Sequence, residues 1–461
     1  MNSQSKKMEL LGSASIPKAL LAMGIPTMIG MLVNAFYNLV DAYFVGGLGE
    51  SQMGAISVVY PLGQVVVGLG LLFGNGAASY ISRLLGRGDK ENADKVASTA
   101  LYSSVSVGAV IIIISMVFLH PILKLLGATD SILPYAATYA GIYIVSCIFN
   151  VFNVTMNNIV TSEGAAKTTM CALLTGAVLN IALDPLFIYV FDLGVAGAAI
   201  ATAISQVVST CVYLTYILRK KSVFHFRVKD CTYTKETMSE IFKIGIPTLV
   251  FQILTSVSIS LINNAAGDYG DSAIAGMGVV TRLISMGSLS VFGFIKGFQP
   301  IAGYSYGAKK FDRLREAIKT SILWSTVFCV IFGVILALFP TAIVSQFTKG
   351  DAEMIRIGAA SLRANGISIM LFGFYTVYSS LFLALGKGRE GFILGACRQG
   401  ICFIPVILLL PMVWGLNGIM YAQPIADVLS AVITVFMAIP LHKKLNEMQK
   451  QTSAISTKDN D

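Results

Sequence analysis

Residues 24–27 read Gly24-Ile25-Pro26-Thr27, and 221 positions later the chain reads Gly245-Ile246-Pro247-Thr248. Carried along the chain without gaps, the same shift lays Gly46 on Gly267, Gly49 on Gly270, Val58-Val59 on Val279-Val280, Phe73 on Phe294, Gly76 on Gly297 and Gly86 on Gly307. Much later, Gly194-Val195-Ala196-Gly197 meets Gly415-Leu416-Asn417-Gly418 at the same offset. Hydrophobic bias alone does not hold one offset over that distance, so the chain reads as two copies of one unit.

Composition says what the unit is. Of 461 residues, 55% are hydrophobic and 12% charged, with mean hydropathy +0.74, whereas soluble domains carry about 25% charged residues. Apolar runs long enough to cross roughly 30 Å of hydrocarbon as helices begin near Pro17, Met53, Asp94, Ile132, Val160, Gly194, Glu236, Ala273, Leu314, Ala352, Gly391 and Leu416. The expected fold is an all-α membrane protein of about twelve transmembrane helices in two pseudo-symmetric six-helix bundles, a parallel repeat enclosing a cavity between them. The expected division is a tail over 1–15, an N-lobe over 16–220, a linker over 221–235, a C-lobe over 236–445 and a tail over 446–461.

Charge distribution sets the topology. Most of the 33 Lys and Arg fall in loops on one side, only Lys124, Lys349, Arg356 and Arg363 fall on the other, and Arg282 and Lys296 lie within spans. The positive-inside rule then puts both termini in the cytoplasm of a multi-pass plasma-membrane protein. In that setting the net charge of +9 marks topology and contact with lipid head groups rather than nucleic-acid binding. The seven cysteines include no CxxC pair and read as buried thiols.

Motifs exclude several chemistries. There is no GxxxxGK[ST] phosphate loop and no HExxH, and His120, His225 and His442 are scattered, so neither ATP hydrolysis nor zinc proteolysis has its residues. An enzyme is not expected, and no cofactor beyond a coupling ion.

Polar residues inside the spans carry the remaining signal, because each must find a partner or water. Asn34, Tyr37, Asn38 and Asp41 fall at i, i+3, i+4 and i+7 of the first helix and share a face. Asn150, Asn153 and Asn157 repeat that spacing on the fourth helix, the fifth carries Asn180 and Asp184 one turn apart, and the sixth carries Thr202 and Gln206. At the 221 shift Asp41 falls on Ile262 and Asp184 on Pro405, so the acid pair belongs to the N-lobe alone.

Helix glue needs only amides, at about 0.6 kcal/mol apiece. An Asp near a helix centre costs about 2.5–3.5 kcal/mol to insert, and keeping an ordinary Asp protonated at pH 7 costs roughly 4 kcal/mol. The penalties nearly match, so such a site can exchange a proton, or bind a cation with amide and hydroxyl oxygens as co-ligands. Asp41 and Asp184 are therefore read as an ion-coupling pair, with Asn34, Tyr37 and Asn38 in support. Lys296 in the eighth helix and Asp427 in the twelfth are expected to pair, substrate contact by Lys296 being the other reading. Glu163 is read as a loop charge with a structural partner.

The segments around Gly24-Ile25-Pro26, around Asp41 followed by Val45-Gly46, from Gln299-Pro300 to Gly307-Ala308-Lys309-Lys310, and at Gly194-x-x-Gly197-Ala198-Ala199-x-Ala201-Thr202 together resemble the multidrug and toxic-compound extrusion (MATE) family, nearest its bacterial MepA-like branch by the DinF group. The resemblance implies two six-helix bundles forming a V and drug export driven by inward flow of protons or sodium. It also implies an N-lobe ion site at Asp41, Asn180, Asp184 and Thr202, with Tyr37 and Asn157 nearby and sodium a possible ligand of Asp41, Asn180 and Asp184. Other branches carry C-lobe acids on the first and fourth helices; here the seventh helix offers only Gln252, Asn263 and Asn264, which throws the weight on the N-lobe. The expected function is secondary active efflux of amphipathic, often cationic, drugs or toxins by a monomer, the cargo held by cavity carboxylates and ring faces such as Tyr37, Phe152 and Phe292. Asn34, Tyr37, Asn38, Asn150, Asn153, Asn157, Gln206 and Lys296 are the supporting cavity residues. The alternative is a flippase for a lipid-linked saccharide, which needs several Arg and Lys in the cavity; a non-transporting receptor gives no reason for paired acids.

Overall fold

The computed structural model describes residues 3–348 and 351–458, and every regular element among them is helical. Twelve helices are long and apolar enough to cross a membrane: Ile16–Val45, Gly54–Gly86, Lys90–Val117, Leu133–Ser162, Ala166–Val190, Gly194–Leu218, Lys235–Gly267, Ser272–Gly307, Phe311–Leu338, Ala352–Ala384, Gly388–Trp414 and Leu416–Gln451. We number them as spans one to twelve. The fifth begins six residues after its expected start because the fourth runs on to Ser162 and Gly164, at φ +91°, makes the turn. Even the short helices between the third and fourth spans (Leu119–Leu125) and between the ninth and tenth (Pro340–Val344) start 221 residues apart.

Within the N-terminal half the second span packs on the fourth, the first on the fifth, and both the fourth and the fifth on the sixth. The halves join by a reciprocal pair of contacts, the first span on the eighth and the second on the seventh, which the 221 shift exchanges with each other. At the end of the molecule that bears the basic loops the join is backbone on backbone. A Cβ at Gly86 would lie 2.1 Å from the Tyr304 carbonyl oxygen, and one at Gly307 would lie 2.1 Å from the Arg83 carbonyl oxygen. Neither position has room for a side chain. Arg83 and Tyr304 are themselves 221 residues apart, so this contact lies on the pseudo-twofold axis. Beside it Arg83 Nη2 donates to Glu240 Oε2 at 2.6 Å across the join.

Both termini depart from the expected tails. Ser3–Gly12 forms a helix with Leu11 fully buried, and the last helix continues to Lys458. The N-terminal helix docks on both halves. Lys7 Nζ donates to Glu163 Oε1 at 3.3 Å, to the Lys221 carbonyl at 2.6 Å and to the Tyr216 hydroxyl. Glu163 is completely buried and also accepts from Ser222 Oγ and the Val223 amide; the loop charge of the sequence reading is a structural hub. From the other half, Arg313 donates to the Leu10, Leu11 and Ala14 carbonyls and Lys310 to that of Gly12. Those of Leu10, Leu11 and Gly12 are the last carbonyls of the helix, which have no partner within it.

Candidate functional site

The fifth span is interrupted next to its acid. Pro185 has no N–H to give to the helix ladder, and a π-helical turn, Leu186–Val190, follows, closed by the Phe191 amide on the Leu186 carbonyl. Asp184, fully buried, is thus held at a break in its helix, a setting often found at functional sites. Asn180, one turn earlier and equally buried, donates through Nδ2 to Asp184 Oδ1 and to Thr202 Oγ1 of the sixth span, each at 3.4 Å. The carboxyl of Asp41, from the first span, adjoins that of Asp184.

The four residues expected at the ion site therefore lie together in the structure. Their hydrogen bonds do not close: Asp41 Oδ1, Asn180 Oδ1 and Asp184 Oδ2 are buried with no partner, and every other such orphan among the described residues is a Ser or Thr hydroxyl. Three oxygens without donors suit a bare proton or a hard cation such as sodium. No group of three or more His, Cys, Asp or Glu suited to a metal occurs among the described residues.

The remaining candidates separate. Tyr37 is electrostatically close to both Asp41 and Asp184. Asn38 is exposed and folds back onto the Asn34 carbonyl at 2.7 Å. Asn153 pairs with Gln206, Nδ2 to Oε1 at 2.8 Å, and accepts from Thr210 at 3.0 Å. This network fastens the fourth span to the sixth, with half-buried Asn150 outside it. Two residues the sequence reading passed over, Tyr139 and Tyr143 of the fourth span, stack on each other and lie within electrostatic reach of Asp41. Their spacing continues the Asn150, Asn153, Asn157 stripe toward the other end of the helix.

A cavity of about 490 Å³ lies in the C-terminal half, walled mainly by the seventh, eighth, tenth and eleventh spans, and meets the N-terminal half at Met31, Leu71, Asn75 and Asn158. Its lining corrects two expectations. Among the described residues no Asp or Glu lines it, and of the three aromatic rings proposed to hold cargo only Phe292 does; Phe152 packs in the N-half core. Nor do Lys296 and Asp427 pair. Asp427 takes Arg398 Nε at 2.8 Å and is further held by Ser368 and Gln423, each at 2.9 Å, while the guanidinium lies 4.6 Å from the centre of the Phe372 ring. Lys296 instead reaches across the join to Asn157 Oδ1, whose amide nitrogen donates to the Tyr213 hydroxyl at 3.3 Å. Arg398, counted with the basic loop in the sequence reading, is buried within a π-helical turn, Cys397–Ile401, of the eleventh span.

The sequence model of the MatE family matches residues 26–186 and 247–409, two segments that begin 221 residues apart. Multidrug export protein MepA of Staphylococcus aureus (strain MSSA476) is 32% identical to this chain, covering 93% of it and 94% of the relative. The protein of the same name from Staphylococcus saprophyticus is 32% identical over 94% and 95%. Among solved structures, the outward-facing conformation of a multidrug resistance MATE family transporter of the MOP superfamily superposes with a TM-score of 0.90 at 26% identity, covering 96% of this chain and 99% of that one.

Proposed function

The chain belongs to the MatE family, and on that premise we propose how it works as a multidrug efflux transporter: amphipathic compounds leave through the cavity by alternating access while protons or sodium ions enter through Asp41 and Asp184. The observation that carries this reading is the trio of unpartnered oxygens on Asp41, Asn180 and Asp184. Leaving such atoms buried without donors costs free energy. Two adjoining carboxyls also repel when both are ionised, so the cluster is stable only while a positive ion sits in it. Release of that ion makes the cluster pull water or another ion inward, and the break at Pro185 lets the fifth span move in response. Thr202 and Asn180 orient the acids. Tyr37 screens them from the bilayer.

We place both termini and the basic loops in the cytoplasm, which makes the glycine contact at Gly86 and Gly307 the inner gate. We take the transporter to act as a monomer, with no cofactor beyond its coupling ion. Purified protein in liposomes, loaded with a dye substrate under an imposed proton or sodium gradient, tests the reading. Dye movement should follow one of the two gradients and stop in Asp41→Asn. An Asp41→Asn variant that still pumps at the wild-type rate removes the acids from the mechanism.

A further inference from the structure

We infer that the cargo selected by this cavity is anionic: a carboxylate, sulfonate or phosphate carried on an apolar body, with its head group on Lys296. The inference rests on the transporter reading above and adds the charge of the cargo. Among the described residues, the only Lys or Arg side chains lining the cavity are those of Lys296 and Arg398, and no Asp or Glu lines it with them. Arg398 is already neutralised, since Asp427 faces it and is itself held by Ser368 and Gln423. Lys296 is not: its partner is the neutral Asn157, and no ion pair to it exists among the described residues.

An ammonium has donors to spare after one hydrogen bond, and a charge left without a counter-charge in an apolar chamber is costly. The chamber thus carries one surplus positive charge at the join between the halves. Beside it a narrow notch lined by Ser79, Ser82, Asn158, Thr161 and Gln299 opens onto the same ammonium. Of these, the Gln299 amide and the second N–H of Asn158 suit the oxygens of an anionic head, since the Ser79, Ser82 and Thr161 hydroxyls already donate to the Leu383, Ala78 and Asn157 carbonyls and Asn158 gives its first N–H to the Val154 carbonyl. Phe251, Phe292 and the aliphatic wall receive the apolar body. A cationic cargo meets like charge at Lys296 and finds no carboxylate in the lining.

Equilibrium binding measured in phosphatidylcholine nanodiscs needs no ion gradient, so its outcome is independent of whether the coupling assignment holds. The probes are 11-(dansylamino)undecanoic acid, its methyl ester, and the matching trimethylammonium compound. The acid should bind roughly tenfold or more tighter than the ammonium compound, the worth of one charge-assisted hydrogen bond, with the ester between. Lys296→Gln should collapse the acid-to-ammonium ratio toward one and Lys296→Arg should keep it; because both affinities come from one preparation, the ratio is insensitive to partial misfolding. A wild-type ratio at or below one overturns the inference, as does a ratio that Lys296→Gln leaves unchanged. Repeating the titration in phosphatidylglycerol nanodiscs identifies the source of the anion. Displacement of the acid by that lipid assigns the site to lipid head groups, and undiminished binding assigns it to soluble amphiphiles; both keep the anion preference.

Discussion

In each half a buried carboxylate-centred cluster lies beside a π-helical turn on the half's fifth helix, at Leu186–Val190 after Asp184 and at Cys397–Ile401 around Arg398. In the N-terminal half acid meets acid and three oxygens stay unpartnered. In the C-terminal half acid meets guanidinium, and Asp427 has donors on both oxygens. The duplicated frame is the same, so charge balance is what separates the roles. An unbalanced cluster calls for a mobile ion, whereas a balanced one only ties helices together.

The sharpest way to break this comparison is to exchange the costs. Asp41→Asn should abolish gradient-driven dye efflux in inverted vesicles while leaving the thermal midpoint in detergent near wild type, because no native donor is lost. Arg398→Leu should do the reverse, lowering stability by about 3–5 kcal/mol by stranding a buried charge; adding Asp427→Leu should restore most of it. If Arg398→Leu melts like wild type, the C-half pair is not structural and the contrast fails.

A smaller effect tests the symmetry itself. Gly86→Ala and Gly307→Ala meet equivalent carbonyls at the same 2.1 Å, so each should cost a similar amount, about 1–3 kcal/mol from overpacking. Spin labels at positions 87 and 308 should read an equally widened join in both variants; a large difference between the two removes the axis. Smallest is Gln206→Leu, which loses one interhelical amide contact worth about 0.6 kcal/mol and should shift the thermal midpoint slightly.

The frame and the acid cluster were legible because both are departures from a uniform background: a fixed offset of small residues, and ionisable groups inside apolar runs. Arg398 was not, because it follows Lys387 and Arg389 by eleven and nine residues and reads as part of the same basic loop. With Arg398 out of view, the basic residues left within spans were Arg282 and Lys296, and Lys296 was given to Asp427. Tyr139 and Tyr143 were readable in principle by extending the asparagine stripe upward, but aromatic residues in a span announce packing before polarity. The N-terminal helix carried no signal of its own. Ten residues without an apolar stripe fold there because distant side chains finish their hydrogen bonds.

That helix has a consequence for the order of assembly. It leaves the ribosome long before Lys310 and Arg313, which complete its final carbonyls and follow it by 298 to 303 residues. Its seat does not exist until the ninth span has been made and inserted. A segment made before either copy of the repeat is therefore among the last to settle, and it acts as a clasp that fastens only when translation has delivered both copies.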